Sequence, residues 1–203
     1  MKKAGSYGLA LAVLVATAPG HAQDRTTDPL HGVAHCFDSG EFLTKSRDRL
    51  PAASTSRIVN TSAGPAHVST ADGYRLMVYR ASPEPLVNLK IERSAPGKFE
   101  ADRDAIMRQL AATSARATPA NSVPLATSAQ HGIDIAALDN PAIGTSGVIS
   151  MVQLFDAATG TIATAYILNQ APAVREYANQ EAYDALRNRF VAALASCMAQ
   201  ARQ

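Results

Sequence analysis

The plainest periodicity in the chain is the alternation of "PLVNLKIERS", where Val87, Leu89 and Ile91 fall on one side and Asn88, Lys90 and Glu92 on the other. Period two over that length predicts a half-buried strand whose polar set faces solvent. Just upstream, "GYRLMVYRA" predicts a partner strand reached through "SPEP", and "SRIVN" and "AHVST" predict two shorter strands. "TADG" predicts a hairpin turn leading into Tyr74. The period then becomes helical in "GKFEADRDAIMRQLAATSA". Glu100, Asp102 and Asp104 stand near its start, where the helix dipole favours negative charge, and Ile106, Met107 and Leu110 form its buried side.

Next comes "RATPANSVPLATSAQ", which has no period and predicts a long polar loop from Arg116 to Gln130. "HGIDIAALD" predicts a short strand, and "GVISMVQLFDAATGTIATAYILNQ" predicts a hairpin around "DAATG". In "EAYDALRNRFVAALASCMAQ" the positions Tyr183, Leu186, Phe190, Leu194 and Cys197 recur at spacings of three and four, the inner face of a closing helix. Strands, helix, strands, helix with antiparallel neighbours predict an α+β domain: an antiparallel sheet carrying a middle helix and a long C-terminal helix. In this order of elements, the stretch from Tyr74 to Cys197 resembles the small PsbP/Mog1/DcrB-type fold. That resemblance implies a protein that binds partners or one without a known activity, with no catalytic residue to carry over.

The first 22 residues change where this domain is expected to work. Lys2 and Lys3 precede an apolar run from Leu9 to Ala18, and Gly20-His21-Ala22 places small residues where a signal peptidase reads. We therefore expect cleavage near Ala22 and a single domain over residues 23–203, released into the periplasm or secreted. The apolar run is too short for a stable membrane anchor. The full chain has 19 basic and 17 acidic residues. Without the two leader lysines the signs balance, so the domain lacks the basic footprint of a nucleic-acid binder. Lys45, Arg47 and Arg49 stand beside Glu41 and Asp48 and read as a solvated face.

Export also decides the two cysteines. An even pair in an oxidising compartment predicts a disulfide between Cys36 and Cys197, since Cys197 falls on the inward face of its helix. His31 and His35, four residues apart, would share a helical face and chelate a metal. However, Gly32, Pro29 and Asp38-Ser39-Gly40 argue against a helix there, so no metal site and no cofactor are expected.

The remaining chemistry is sparse. "GTSG" places Ser146 between glycines, but Val148 stands where a hydrolase elbow needs glycine. His131 and Asp134 at a strand entrance read as a solvated pair. Lacking a specific catalytic motif, the sequence points to an exported, non-enzymatic protein that binds another protein, such as an inhibitor or an immunity protein. Two alternatives stay open: a small-ligand or lipid carrier with an apolar pocket between sheet and helix, and a hydrolase built on His131 and Ser146. The partner surface is expected on the Arg116–Gln130 loop together with Val174–Tyr177, with Arg116, Arg175 and Tyr177 as anchors.

Overall fold

The computed structural model describes residues 28–51, 56–116, 123–139 and 148–203. The expected leader, residues 1–22, and the Gly144–Gly147 stretch with Ser146 lie outside the described residues, as do residues 117–122 of the predicted loop. Along the chain the elements are α1 Pro29–Ala34, β1 Leu43–Pro51, β2 Arg57–Thr61, β3 Gly64–Val68, β4 Thr70–Tyr79, β5 Val87–Ser94 and α2 Phe99–Ala115. They continue with β6 Leu125–Gln130, β7 Ile133–Asp139, β8 Val148–Asp156, β9 Thr161–Leu168 and α3 Gln180–Gln200. Seven strands form one sheet in the order β1-β4-β5-β9-β8-β7-β6, with every neighbour antiparallel. β2 and β3 form a separate two-stranded sheet. The architecture is the α+β one that the patterns predict.

Because side chains alternate across each strand, the sheet has two apolar faces and a core on each. On one, Leu76, Leu89, Ile91, Val152 and Ala165 meet α1 and the Tyr183, Leu186, Phe190 and Leu194 stripe of α3. Full burial of a large side chain of this kind contributes about 1.5–3 kcal/mol. On the other face, Ala136, Leu138, Phe155 and Ile162 meet Ala105, Ile106 and Leu110 of α2 together with Val59 and Val68 of β2 and β3. β8 and β9 lie beneath both layers, which is why they read as nearly continuous apolar runs. Their turn is held by Asp156, which accepts from Ala158 N at 3.0 Å and from Thr159 Oγ1 at 2.9 Å, and Gly160 takes the left-handed position at φ 66°.

The terminal helix is stopped and started by named groups. Asn179 caps α3, its side chain accepting from Ala182 N at 2.9 Å. Cys197, half-buried on α3, stands opposite Cys36, which follows α1. The two sulfurs are 2.00 Å apart and the Cα atoms 5.7 Å, a disulfide-compatible pair closing 161 residues of chain.

Four local expectations are corrected and one is extended. First, "TADG" is not a turn: Thr70 to Gly73 belong to β4, with an irregularity between Thr70 and Asp72. The reversal lies earlier, between Thr61 and Gly64, where Gly64 has φ 105°. Second, Glu92 does not face solvent. It is fully buried, and its carboxylate meets Arg57 Nη1 of β2 at 2.6 Å, Lys90 Nζ at 2.7 Å and Thr70 Oγ1 at 3.3 Å. Third, the Lys45, Arg47 and Arg49 stretch is the solvated face expected, with Lys45 and Arg49 exposed, and it is in addition a strand, β1, at one edge of the sheet. Fourth, residues Leu125–Gln130 of the expected loop are strand β6. Fifth, His31 lies in a helix and His35 caps it. Asp28 caps α1 by accepting from Leu30 N at 3.2 Å, and Pro29 occupies its first turn, where no amide partner is lost.

Candidate functional site

β6 ends the seven-stranded sheet and, among the described residues, pairs only with β7. The two are joined by a two-residue turn, His131 at φ 53° and Gly132 at φ 73°. Consecutive left-handed residues match the twist of a tight hairpin; Gly132 takes the second position at no steric cost, while His131 takes the first, where a side chain is uncommon. The turn closes on the Gln130–Ile133 pair. In an antiparallel ladder closed this way, alternate residues face the partner strand, so the backbone N–H and C=O groups of Ala129, Thr127 and Leu125 point outward.

The two sheet edges differ in chemistry. β1 carries Lys45, Arg47, Asp48 and Arg49 and ends in Pro51, the usual protection of an edge against pairing. β6 reads LATSAQ, with no charge and no proline, and Ala126 through Gln130 are exposed. Among the described residues, it offers outward hydrogen-bonding groups on a strand whose own side chains carry no charge to repel a second one.

A cleft flanks this edge on each face of the sheet. Toward α2 it is about 350 Å³ and is bounded by Arg103, Met107, Thr127, Asp134 and Phe155. Toward α3 it is about 180 Å³ and is bounded by Ala126, Ser128, Gln130, Arg187 and Val191. The charged groups in both are paired internally: Arg103 with Asp134 at 2.7 Å, and Arg187 with Asp139 at 2.6 Å and Asp184 at 3.2 Å. Each cleft thus presents an apolar wall with a neutralised rim.

Beneath the α3-side cleft is a polar cluster that sequence reasoning missed. Ser150 Oγ, buried on β8, donates to Asp139 and accepts from the hydroxyl of Tyr183. Burial pushes the Tyr183 phenol well above its ordinary range, so it stays a neutral donor. The cluster ties β7, β8 and α3 together at one end of the cleft. No spacing in the sequence signals it, because its members come from three separate elements.

The other predicted residues fall elsewhere. Asp134 is taken by Arg103 rather than by His131, whose backbone forms the turn. Arg116 closes α2, its Nε donating to Ala112 O at 3.0 Å. Arg175 is held by Asn169 Oδ1 at 2.9 Å and by Gln170 O at 3.3 Å. Tyr177 is 4 % exposed, its ring 5.1 Å from that of Tyr183, so most of its side chain packs in the core. Arg116 belongs to the α2 layer and the Val174–Tyr177 segment to the α3 layer, and the sheet separates them. Comparison with protein-family models, curated proteins and solved structures finds no match for the chain.

Proposed function

We propose that this chain is an exported, non-enzymatic interaction protein that takes an extended segment of another protein onto the β6 edge. The observation carrying this reading is the contrast between the edges: β1 is guarded by charge, and β6 is bare and flanked by a cleft on each face. An added strand makes backbone hydrogen bonds to Leu125, Thr127 and Ala129, while its alternate side chains enter the two clefts. Inhibitors and immunity proteins, which act by covering a partner, are the kind of protein this describes. The layout-level resemblance to the PsbP/Mog1/DcrB-type fold supports the same class. The leader pattern of residues 1–22 and the Cys36–Cys197 pair support a periplasmic or secreted site of action. Among the described residues no helix is long and apolar enough to cross a membrane.

The test is capture of partners from periplasmic extract by the native protein and by Thr127→Pro. Proline at this position removes an outward N–H without breaking the ladder to β7. A partner held by the native protein and lost from the variant, at unchanged melting temperature, supports the reading. A partner held equally by both moves the site to another surface. A second reading, small-ligand carriage, is favoured by the α2-side cleft with Met107 and Phe155 on its wall. A ligand retained in native mass spectra, and lost in Phe155→Ala, would select it.

A further inference from the structure

α1 is only six residues long, yet it is held from three sides. Asp28 caps it and pairs with Arg93 Nη1 at 2.7 Å. Gly32 packs so closely on the end of α3 that a Cβ there would meet Ala201 Cβ at 3.0 Å. Cys36, directly after the helix, faces Cys197 at bonding distance.

This frame fixes two imidazoles. His31 and His35 are one helical turn apart with ring centroids 4.3 Å from each other. His31 is exposed and the His35 side chain is 38 % exposed. The Nδ1 of His35 is 2.7 Å from Asp38 Oδ2, and the Nδ1 of His31 is 3.4 Å from the Tyr74 hydroxyl. Both rings are therefore oriented through Nδ1, leaving Nε2 available on each. Imidazoles that ligate a metal are oriented in this way: one nitrogen is held by a carboxylate or hydroxyl and the other meets the ion. Asp38 is itself fixed by Arg47, which also donates to Ala34 O at 2.8 Å. The nearby charges are spent on one another, Arg47 on Asp38 and Arg93 on Asp28 and Asp72. Among the described residues, Arg47 and Arg93 are thus held by carboxylates rather than by the imidazoles.

We propose that His31 and His35 form a two-imidazole site for a divalent first-row transition ion, with water completing the coordination. Imidazole suits Zn²⁺ and Cu²⁺, and a site with two protein ligands leaves positions open for water or for a donor from a partner. Asp38 and Tyr74 are positioning residues.

The test is calorimetric titration of the exported protein with Zn²⁺ alone, alongside its melting temperature with and without the ion. One ion per chain is expected, with a raised melting temperature because the ion binds the folded arrangement. His31→Ala and His35→Ala should each abolish saturable binding, and Asp38→Asn should weaken it about tenfold or more. His67→Ala and His131→Ala, which alter exposed imidazoles elsewhere, should leave it unchanged. Absence of saturable binding in the native protein overturns the proposal. So does binding that survives loss of His31 and His35, or that falls equally in the His67 and His131 variants. The melting temperature of each variant without metal shows that the fold is intact.

Discussion

Glu176 shows how one side chain fixes a whole connection. Its carboxylate accepts from Ser82 N at 3.0 Å, Ala81 N at 3.3 Å, Gln170 Nε2 at 3.2 Å and Arg80 Nη1 at 3.2 Å, so it pins the β4–β5 turn to the segment before α3. Burial alone would raise its pKa, but these hydrogen bonds outweigh burial and hold it below the ordinary glutamate value of 4.5. A depressed folded-state pKa means stability that is fully present above the unfolded value and is lost as pH falls through the folded one. Glu176→Gln should therefore lower stability by about 1–3 kcal/mol at neutral pH, and the difference from the native protein should shrink below pH 4. Denaturant unfolding followed at several pH values measures it, and an equal loss at neutral pH and at pH 3 would mean that charge is not the cause. The turn's strands were legible in the sequence and this lock was not, since Glu176 and Ser82 lie far apart in the chain. The placement of Tyr177 beside it was hidden for a related reason, since its ring stands against Tyr183 of the following helix and no local pattern signals that contact.

At the scale of elements, what was legible had a period. β4, β5, β8, β9, α2 and α3 bury one side or both, so burial imposes an alternation of two or a spacing of three and four on their residues. β1 and β6 lie at the edges and carry no such imprint: one is written in charges, the other in small polar residues. α1 was hidden by Gly32, which disfavours a helix locally and is needed there because of the contact with Ala201. Gly73 is a similar case in β4, where an added Cβ would stand 2.5 Å from Ile91 O of the neighbouring strand. Gly73→Ala should cost about 1–3 kcal/mol, as overpacking does, with no flexible side chain able to yield. A thermal scan showing a melting temperature within a degree of the native one would contradict this. Gly40 makes a useful contrast, since nothing lies within 4 Å of its added Cβ, although its φ of 105° disfavours any side chain.

Across the whole molecule, the disulfide-compatible pair and the hairpin act on opposite faces. Joining Cys36 to Cys197 ties α1 to the far end of the chain and closes a loop of 161 residues, which in the chain-entropy model restricts the unfolded state by about 5 kcal/mol as an upper figure. Replacing both cysteines by serine should lower stability by about 2–5 kcal/mol. Hydrogen exchange should then rise in α1 before it rises in the central strands, because α1 is too short to persist without that tether. Uniform exchange across the domain would show instead that α1 is held by packing alone.

The opposite face has a different weak point. The β2–β3 hairpin is outside the main sheet; its attachments include the packing of Val59 and Val68 against α2 and the sheet, and the ion pair from Arg57 to Glu92. Glu92 has no exposure of its own and is charge-compensated by Arg57 and Lys90, with Thr70 as a further donor. Removing Arg57 leaves a buried carboxylate with one cation, the arrangement in which breaking a buried pair is costlier than the pair was worth. Arg57→Ala should accordingly destabilise by about 3 kcal/mol, whereas Arg57→Ala combined with Glu92→Gln should recover part of the loss. The double-variant cycle separates two causes: recovery assigns the cost to the orphaned charge, and simple additivity assigns it to lost packing of the arginine stem over β5. In either case the hairpin should open as its own unit in native-state hydrogen exchange, at a lower free energy than β5, β8 and β9. It shares few of their buried contacts, and its ladder exposes Ile58 and His67 to solvent. The β6 edge lies on the other flank, so a partner strand added there should protect β6 and β7 while leaving hairpin opening unchanged.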